Sequence, residues 1–521
     1  MPADIRANHE PVPRLPRPVP RLPRRVRIGY GLGSLCTGTF ATVPGLILLY
    51  YLTNVLAVPA AVAGAAVFLP KAWDVLINPL VGAVSDRSGL RGGPRRPFLL
   101  IGACTLPPLF ALIFAAPPLR GAAAAGYVAV LFLLAATAYA VFQVPYVTMP
   151  AEMTDDPAER ARVLGWRVGF LGVAILLSGA LAPAIAHADG DSPASYRTMG
   201  IAVALLLAAG MFGAWFTTRW APAVARSEAE PSLRAQLAAA RSHRPFLFLA
   251  GMWSLQALAI GVMLAGVQYF ATYTLGSPGA VTPLFVCLIG PLALVTPLWN
   301  RLGRLRGVKE AQWCASLLFL AGALLLALTP AFGPAAGYGA VAVIGVAYAG
   351  LQLLPLTMLA DTLAADVVRT GKRRAATFTG LWTAAETLAF ALGAGVFALV
   401  LAVTGFRSSD ADHRVDQPEA ALTGITAGMS ALPAVLAAAS LWLLHRYRED
   451  GTESASPETE SAPPQTESVS PESESAPPHA ESAPPQTESA PPQTQPASRH
   501  AESAPPHTES ASPHKETGRA D

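Results

Sequence analysis

Long apolar runs alternate with short polar segments from residue 28 to residue 444. A helix needs about 20 mostly apolar residues to cross a bilayer. Twelve runs meet that length, at 28–53, 60–84, 98–117, 122–148, 163–186, 197–218, 245–275, 280–299, 312–330, 335–360, 375–404 and 420–444. The pattern predicts an all-α, polytopic membrane protein. Its longest interior polar segment, 219–244, divides the runs into six plus six.

Five regions follow: a basic Pro/Arg-rich tail (1–27), a six-helix bundle (28–218), a central loop (219–244), a second six-helix bundle (245–448) and a tail (449–521). The halves echo one another. Met149-Pro150-Ala151-Glu152 follows the fourth run, and Met358-Leu359-Ala360-Asp361 follows the tenth. Internal repeats of this kind are common in transporters. The final tail repeats a Glu-Ser pair every seven residues from Glu453 in units like Glu-Ser-Ala-Pro-Pro-Gln-Thr. Its prolines lack an amide hydrogen and no apolar seam is present, so an extended, disordered acidic segment is expected rather than a coiled coil.

Charge sets the orientation. The segments on one side of the predicted spans hold 28 Lys or Arg, and those on the other hold only Arg120, Arg197, Arg407 and Arg414. By the positive-inside rule both termini are cytoplasmic. Only 14% of the chain is charged and 52% is hydrophobic. The apolar body needs lipid as its solvent, which excludes a disordered, collagenous or nucleic-acid-binding class. No cleavable signal is expected, because the first apolar run has many successors. Cys36, Cys104, Cys287 and Cys314 lack redox or metal spacing and are expected to be buried packing residues.

Several motifs fail their context test. Gly29-Tyr-Gly31-Leu-Gly33 follows no strand, so close helix packing is expected there instead of a dinucleotide loop. Asp189-Gly-Asp191 and Asp410-Ala-Asp412 lie in short loops and are expected to be solvated charge. No activated serine, phosphate loop or His/Cys cluster is present. No enzymatic activity, cofactor or metal is therefore expected.

Charge within an apolar span is costly and usually meets a partner or a cavity. Lys71 and Asp74 in the second run, Arg167 in the fifth and Glu386 in the eleventh stand out. Asn78, Tyr139, Gln143 and Gln256 add uncharged polarity. Lys71, Asp74 and Asn78 share one helical face, bracketed by Pro70 and Pro79. Lys71 and Asp74 are spaced to neutralise each other, while Arg167 is an alternative partner for Asp74. Asp86, Arg87, Arg95, Arg96, Glu152 and Asp361 supply both signs at the cytoplasmic ends of both halves. They are expected to form ion pairs between the bundles that close the inner mouth in the outward-open state.

The run Trp73-Asp74-Val-Leu-Ile-Asn78-Pro79-Leu-Val-Gly82-Ala-Val-Ser-Asp86-Arg87, followed by Arg95-Arg96-Pro97, resembles the second-span signature of the glycoside–pentoside–hexuronide cation symporters. These form the melibiose-permease branch of the major facilitator superfamily. Val144-Pro145-Tyr146 through Glu159-Arg160, Asp361 through Arg374, and Phe378 through Trp382 with Glu386 agree with it. The resemblance covers about residues 28–445. It implies two six-helix bundles around a central cavity and alternating-access transport in a bacterial cytoplasmic membrane.

Under that resemblance Asp74 falls on an acidic position tied to cation and sugar binding, and Tyr139 and Arg167 match. Asn78 and Gln143 are amides where the family has acids. Gly38, Ile77, Ala140 and Thr387 also replace polar or charged residues. A sodium site wants several hard oxygen ligands, whereas a proton needs one carboxyl, Asp74 or Glu386. The expectation is a monomeric, proton-linked symporter of a small polar solute, with sugars or glycosides the leading class and sodium less favoured. An exporter or amphiphile carrier, and a membrane sensor or scaffold that moves nothing, are the alternatives.

Overall fold

The computed structural model describes residues 22–88, 95–154, 156–219, 241, 243–370, 375–410 and 415–447. All belong to one unit, Met1–Ser456. The repeat tail, most of segments 1–27 and 219–244, and the side chains of Asp86 and Arg87 lie outside the described residues.

Twelve helices are long and apolar enough to cross a bilayer. They are α1 (Arg24–Asn54), α2 (Ala60–Ser85), α3 (Arg96–Ile113), α4 (Gly121–Pro150), α5 (Glu159–Ala186) and α6 (Pro193–Thr218) in the first half. The second half holds α7 (Arg244–Thr274), α8 (Pro278–Arg306), α9 (Val308–Leu326), α10 (Pro334–Thr370), α11 (Thr377–Val403) and α12 (Glu419–Arg446). The even count puts Leu22 and Tyr447 on one face of the molecule, called here the terminal side. Each expected run is found. α10 continues about ten residues past its predicted end at 360, because a helix does not stop where its apolar stretch does.

Local sequence explains several ends. Ser192 caps α6 by accepting the Ser195 amide at 3.2 Å, and Pro193 opens the helix with its fixed φ. His243 does the same for α7, accepting from the Phe246 amide at 3.1 Å. Near their ends away from the terminal side, α1 and α7 each contain one turn of π-helix, at Pro44–Leu48 and Phe270–Thr274. Such turns re-aim the side chains that follow.

The packing repeats. α1 packs on α5 and α6, α2 on α4, and α3 on α4 and α6. Adding six to each number reproduces the second half: α7 on α11 and α12, α8 on α10, and α9 on α10 and α12. Between halves α2 meets α11, α5 meets α8, and α1 meets α7, a set that maps onto itself under the same exchange. Two six-helix bundles related by a pseudo-twofold account for all of these pairs.

Small residues make the close approaches possible. A Cβ on Gly29 would lie 2.0 Å from Thr217 Oγ1 of α6, and one on Gly33 2.4 Å from the Tyr146 ring of α4. The glycine run is thus a packing surface, as expected. The cysteines divide differently from expectation: Cys36 is buried and Cys287 half-buried, but Cys104 and Cys314 are exposed. An apolar thiol is as well solvated by lipid tails as by a core, so burial in protein is not required of it.

Candidate functional site

The polar residues of the first bundle converge where the sequence placed them. α2 carries two distinct faces. At about 100° per residue, Leu69, Leu76, Leu80 and Val84 fall within an arc of roughly 80°, and all four are exposed. Lys71, Asp74 and Asn78 fall on the opposite side, within about 60°. The apolar face suits lipid and the polar face turns to the space between bundles.

On that face Asp74 is 4% exposed and its Oδ1 has no hydrogen-bond partner. Asn78, one turn nearer the terminal side, is exposed. The Lys71 ammonium sits over the Phe40 ring at 4.6 Å and near Phe132 at 5.8 Å. The rings supply the electron-rich surface that a buried cation needs. Tyr139 stacks on the same Phe40 ring, centroids 4.5 Å apart. It stands within electrostatic reach of both Asp74 and Arg167. Gln143 accepts a hydrogen bond from Thr37 at 2.8 Å. Arg167 lies 6.0 Å from the Tyr146 ring, with its Nε unpartnered.

Asp74 makes no direct ion pair, although the Lys71 charge stands within its electrostatic reach. Among the described residues, no ion pair joins it to Lys71 or to Arg167. Three or four residues of separation place two side chains on one face, but Lys71 takes up the aromatic pair instead. Glu386 of α11 is half-buried, with no hydrogen bond or ion pair among the described residues. Tyr348 of α10, which is bonded to Gln352, stands within its electrostatic reach. Trp253 of α7 and Trp382 of α11 stack at 5.8 Å, nearly parallel, with both indole N–H groups unpartnered. Counted along their helices at about 1.5 Å per residue, Lys71, Asp74, Tyr139, Gln143, Arg167 and Glu386 lie roughly 10–20 Å from the terminal-side ends. One layer near mid-depth therefore holds them all. Gln256 belongs elsewhere: it bonds Ser316 and Ser440 at 3.0 and 3.1 Å inside the second bundle, tying α7 to α9 and α12.

The gate is expected of the outward-open state; in this conformation its described ion pair lies within a single bundle, and the Asp86 and Arg87 side chains lie outside the described residues. Arg95 binds Glu152 at 2.6 Å and Ser85 at 2.6 Å, all within the first bundle. Arg96 is half-buried, and Asp361 is exposed without an ion-pair partner among the described residues. Two other buried acids work on this side, each inside its own bundle. Glu159 holds Arg27 and Arg162, and Asp366 faces His243 and holds Arg369. Antiparallel neighbours bring these groups together within a half, whereas joining the halves requires a closed mouth on this side.

The opposite mouth is closed. Tyr50 bonds Thr272 at 3.1 Å, Thr53 bonds Tyr269 at 2.6 Å and Tyr273 donates to Asn54 at 2.5 Å, all between α1 and α7. His187 meets Gln268 at 3.1 Å. The link before α12 joins the link after α1 by a backbone bridge: Ala57 N–H donates to Ser409, Ser409 N–H to Thr53, and the Ser408 hydroxyl to Val58. The hydrogen bonds that cross between bundles among the described residues all lie in this half of the molecule, Thr282 to Ala180 included. Among the described residues this conformation is sealed on the side away from the termini. The seal escaped the sequence reading, and Asp191 overturns it: it is 4% exposed, bonded to His187, Tyr50 and Tyr196, and not solvated charge. The available signal was the pair of hydroxyl-rich stretches Tyr50–Asn54 and Gln268–Thr274 at matching ends of the first helix of each half.

Comparison with known proteins agrees with this architecture. The chain is 26% identical to the inner membrane symporter YicJ of Escherichia coli, over 81% of this chain and 91% of that protein. It is equally identical to the putative glycoside/cation symporter YagG of the same organism, with the same coverage. In fold it is similar to a bacterial homolog of the human lysosomal transporter Spinster, with TM-score 0.62 at 14% identity, covering 81% of this chain and 96% of that one. Residues 29–450 match the MFS/sugar transport protein family. The twelve helices in two related bundles, the polar layer between them and this match together make the chain a multi-pass membrane transporter, a major facilitator of the glycoside–pentoside–hexuronide symporter type.

Proposed function

We propose that this transporter is a proton-linked symporter of a small polar solute, a sugar or glycoside, working by alternating access. The observation that carries the reading is the mid-depth layer of Lys71, Asp74, Asn78, Tyr139, Gln143, Arg167 and Glu386, between bundles whose described hydrogen bonds to one another lie on the side away from the termini. Hydroxyl-rich solutes are held by charged and amide groups through short hydrogen bonds. Aromatic faces such as Tyr139, with Trp253 and Trp382 behind the layer, suit the apolar faces of a sugar ring. The relative named as a glycoside/cation symporter supports the same class.

The terminal side is the cytoplasm, by the distribution of Lys and Arg, and the conformation is then inward-open. A proton fits the layer better than sodium. Asp74 is a buried carboxyl without an ion-pair partner, a costly state for a charge, and Ile77, Ala140 and Asn78 offer few hard oxygens beside it. No cofactor is called for, and each chain, acting as a monomer, holds a complete layer. A thermal-shift panel of sugars, glycosides, nucleosides and amphiphiles on the purified chain tests the solute class. A ligand at 100 times its dissociation constant adds about 2.7 kcal/mol to stability. Sugars or glycosides should raise the melting temperature. A rise with amphiphiles alone would overturn the solute assignment.

A further inference from the structure

The terminal half of α8 carries a line of exposed side chains. At about 100° per residue, Leu294, Leu298, Arg301 and Leu305 fall within an arc of roughly 60°, and all four are exposed. The other face of the helix is the one that packs. Thr282 donates to the Ala180 carbonyl of α5 at 3.2 Å, and the Phe285 ring fills the place of a Cβ on Gly179 of the same helix. Trp299 donates to the Val346 carbonyl of α10 at 2.8 Å, and Gly303 lies against Leu354 of α10. These four packing residues fall within roughly 100° of one another, centred about half a turn from the leucine line. The line points away from both neighbours, toward lipid.

An arginine in that line calls for an anion. Arg301 has an exposed leucine on either side, Leu298 one turn deeper and Leu305 one turn shallower. It lies about 7.5 Å along the axis from the helix end at Arg306, the depth of a lipid headgroup. Charge on a lipid-facing surface is costly unless it meets a partner. Arg304 and Asn300 are exposed beside it, and the three fall within about 100° at the edge of the leucine line. Among the described residues no ion pair reaches either arginine. Glu310, the next acid along the chain, folds over Gly307 at the start of α9, where the helix dipole favours it. Other cations on this side are held by the protein: Arg27 and Arg162 by Glu159, Arg95 by Glu152, Arg369 by Asp366, and Lys309 by the Tyr447 carbonyl at 2.7 Å. Like charges one turn apart on a helix repel, so Arg301 and Arg304 form a paired cationic site without a protein anion.

We propose that Asn300, Arg301 and Arg304 bind the headgroup of an anionic phospholipid, with one acyl chain laid along Leu298 and Leu294. Two guanidinium groups supply forked donors that match the oxygens of a phosphodiester, and the Asn300 amide donates to the remainder of the headgroup. The leucines continue the site inward as an apolar track. Cations at headgroup depth that lead into exposed leucines fit an anion tied to its own hydrocarbon, which a free phosphate is not. The placing of this lipid in the inner leaflet rests on the orientation proposed above; the site itself does not.

The test uses the full chain, purified in a non-ionic detergent and titrated with phosphatidylglycerol, phosphatidylcholine or sn-glycerol 3-phosphate, with bound molecules counted by native mass spectrometry. The wild type should retain one phosphatidylglycerol more tightly than any phosphatidylcholine. Each arginine facing an anionic lipid contributes about a fivefold factor in affinity. Arg301→Gln combined with Arg304→Gln should therefore weaken the tightest site about 25-fold, at an unchanged melting temperature in the absence of added lipid. Arg304→Gln alone, weaker by about fivefold, serves if the double variant does not fold. Arg120→Gln, exposed at the other end of the molecule, should leave the site intact. Equal retention of phosphatidylcholine, equal binding of sn-glycerol 3-phosphate, or unchanged affinity in the arginine variants overturns the proposal. So does a lipid-free dimer that the double variant splits, which assigns the face to a second copy of the chain. Binding in detergent depends on neither the leaflet nor the solute, so it stands or falls separately from the transport reading.

Discussion

Replacing Tyr269 by Phe should loosen the outer seal by a predictable amount. The Tyr269 hydroxyl lies 2.6 Å from Thr53 Oγ1, and the residue is fully buried in the shut state. Its ring is held by Tyr50, Phe397 and Phe406 at 5.2, 5.4 and 5.5 Å, contacts that Phe retains. Thr53 keeps its bond to the Leu49 carbonyl at 3.2 Å. The substitution therefore removes one hydrogen bond from the shut state and none from the open state, where water satisfies the hydroxyl. A net loss of about 1 kcal/mol follows, or roughly a fivefold shift toward outer opening. Tyr273→Phe should act alike through Asn54. The double variant should fall short of the product, because Asn54 also donates to Thr53 at 2.9 Å and the two bonds are coupled. The assay is alkylation of Leu264→Cys by a membrane-impermeant maleimide on intact cells, in a background free of native cysteines. Leu264 packs 3.0 Å from where a Gly45 Cβ would sit across the interface, so it is covered only while the mouth is shut. An unchanged or slower rate in Tyr269→Phe would refute the reasoning.

Other expectations follow from the same geometry. Leu56→Cys with Asp410→Cys should form a disulfide, since bridged strand residues bring Cα atoms to about 4.5–5.5 Å; oxidation should stop transport and reduction restore it. Gly33→Leu places side-chain atoms inside the Tyr146 ring and should cost about 1–3 kcal/mol, read as a lower melting temperature, with Gly126→Leu, which meets open space, as the neutral control. Reporters fused within 219–244 or after Arg448 should be cytoplasmic and one within 405–419 external; an external Arg448 fusion would contradict the twelve-span topology.

The helices were legible because a bilayer imposes a length of apolar sequence that few other structures need. The half-to-half repeat was legible from Glu152 and Asp361 at equivalent helix ends. What those acids touch was not. Glu152 takes Arg95 of its own bundle, Asp361 takes nothing among the described residues, and the buried acid of the second half is Asp366. Periodicity gives the face of a residue but not the neighbour across from it. Lys71 shows the same limit: its spacing to Asp74 suggested a direct pair, while its ammonium sits over two phenyl rings from α1 and α4 and reaches Asp74 only at longer range. The outer seal was the hardest part to read. Tyr, Thr and Asn at helix ends look like ordinary interfacial residues until the other bundle is placed against them. Asp191 looked like loop charge because only a left-handed turn brings it back to His187.

Gradient-driven accumulation in proteoliposomes tests the central claim most directly, using a sugar or glycoside that stabilises the purified chain. With an acid exterior imposed, the wild type should concentrate the solute, and collapse of the pH gradient should abolish that accumulation. Asp74→Asn should fail to accumulate while retaining energy-independent exchange if Asp74 carries the proton, and Glu386→Gln tests the second carboxyl in the same assay. Accumulation that ignores the proton gradient in the wild type, or that persists with gradient dependence in both variants, would contradict the account.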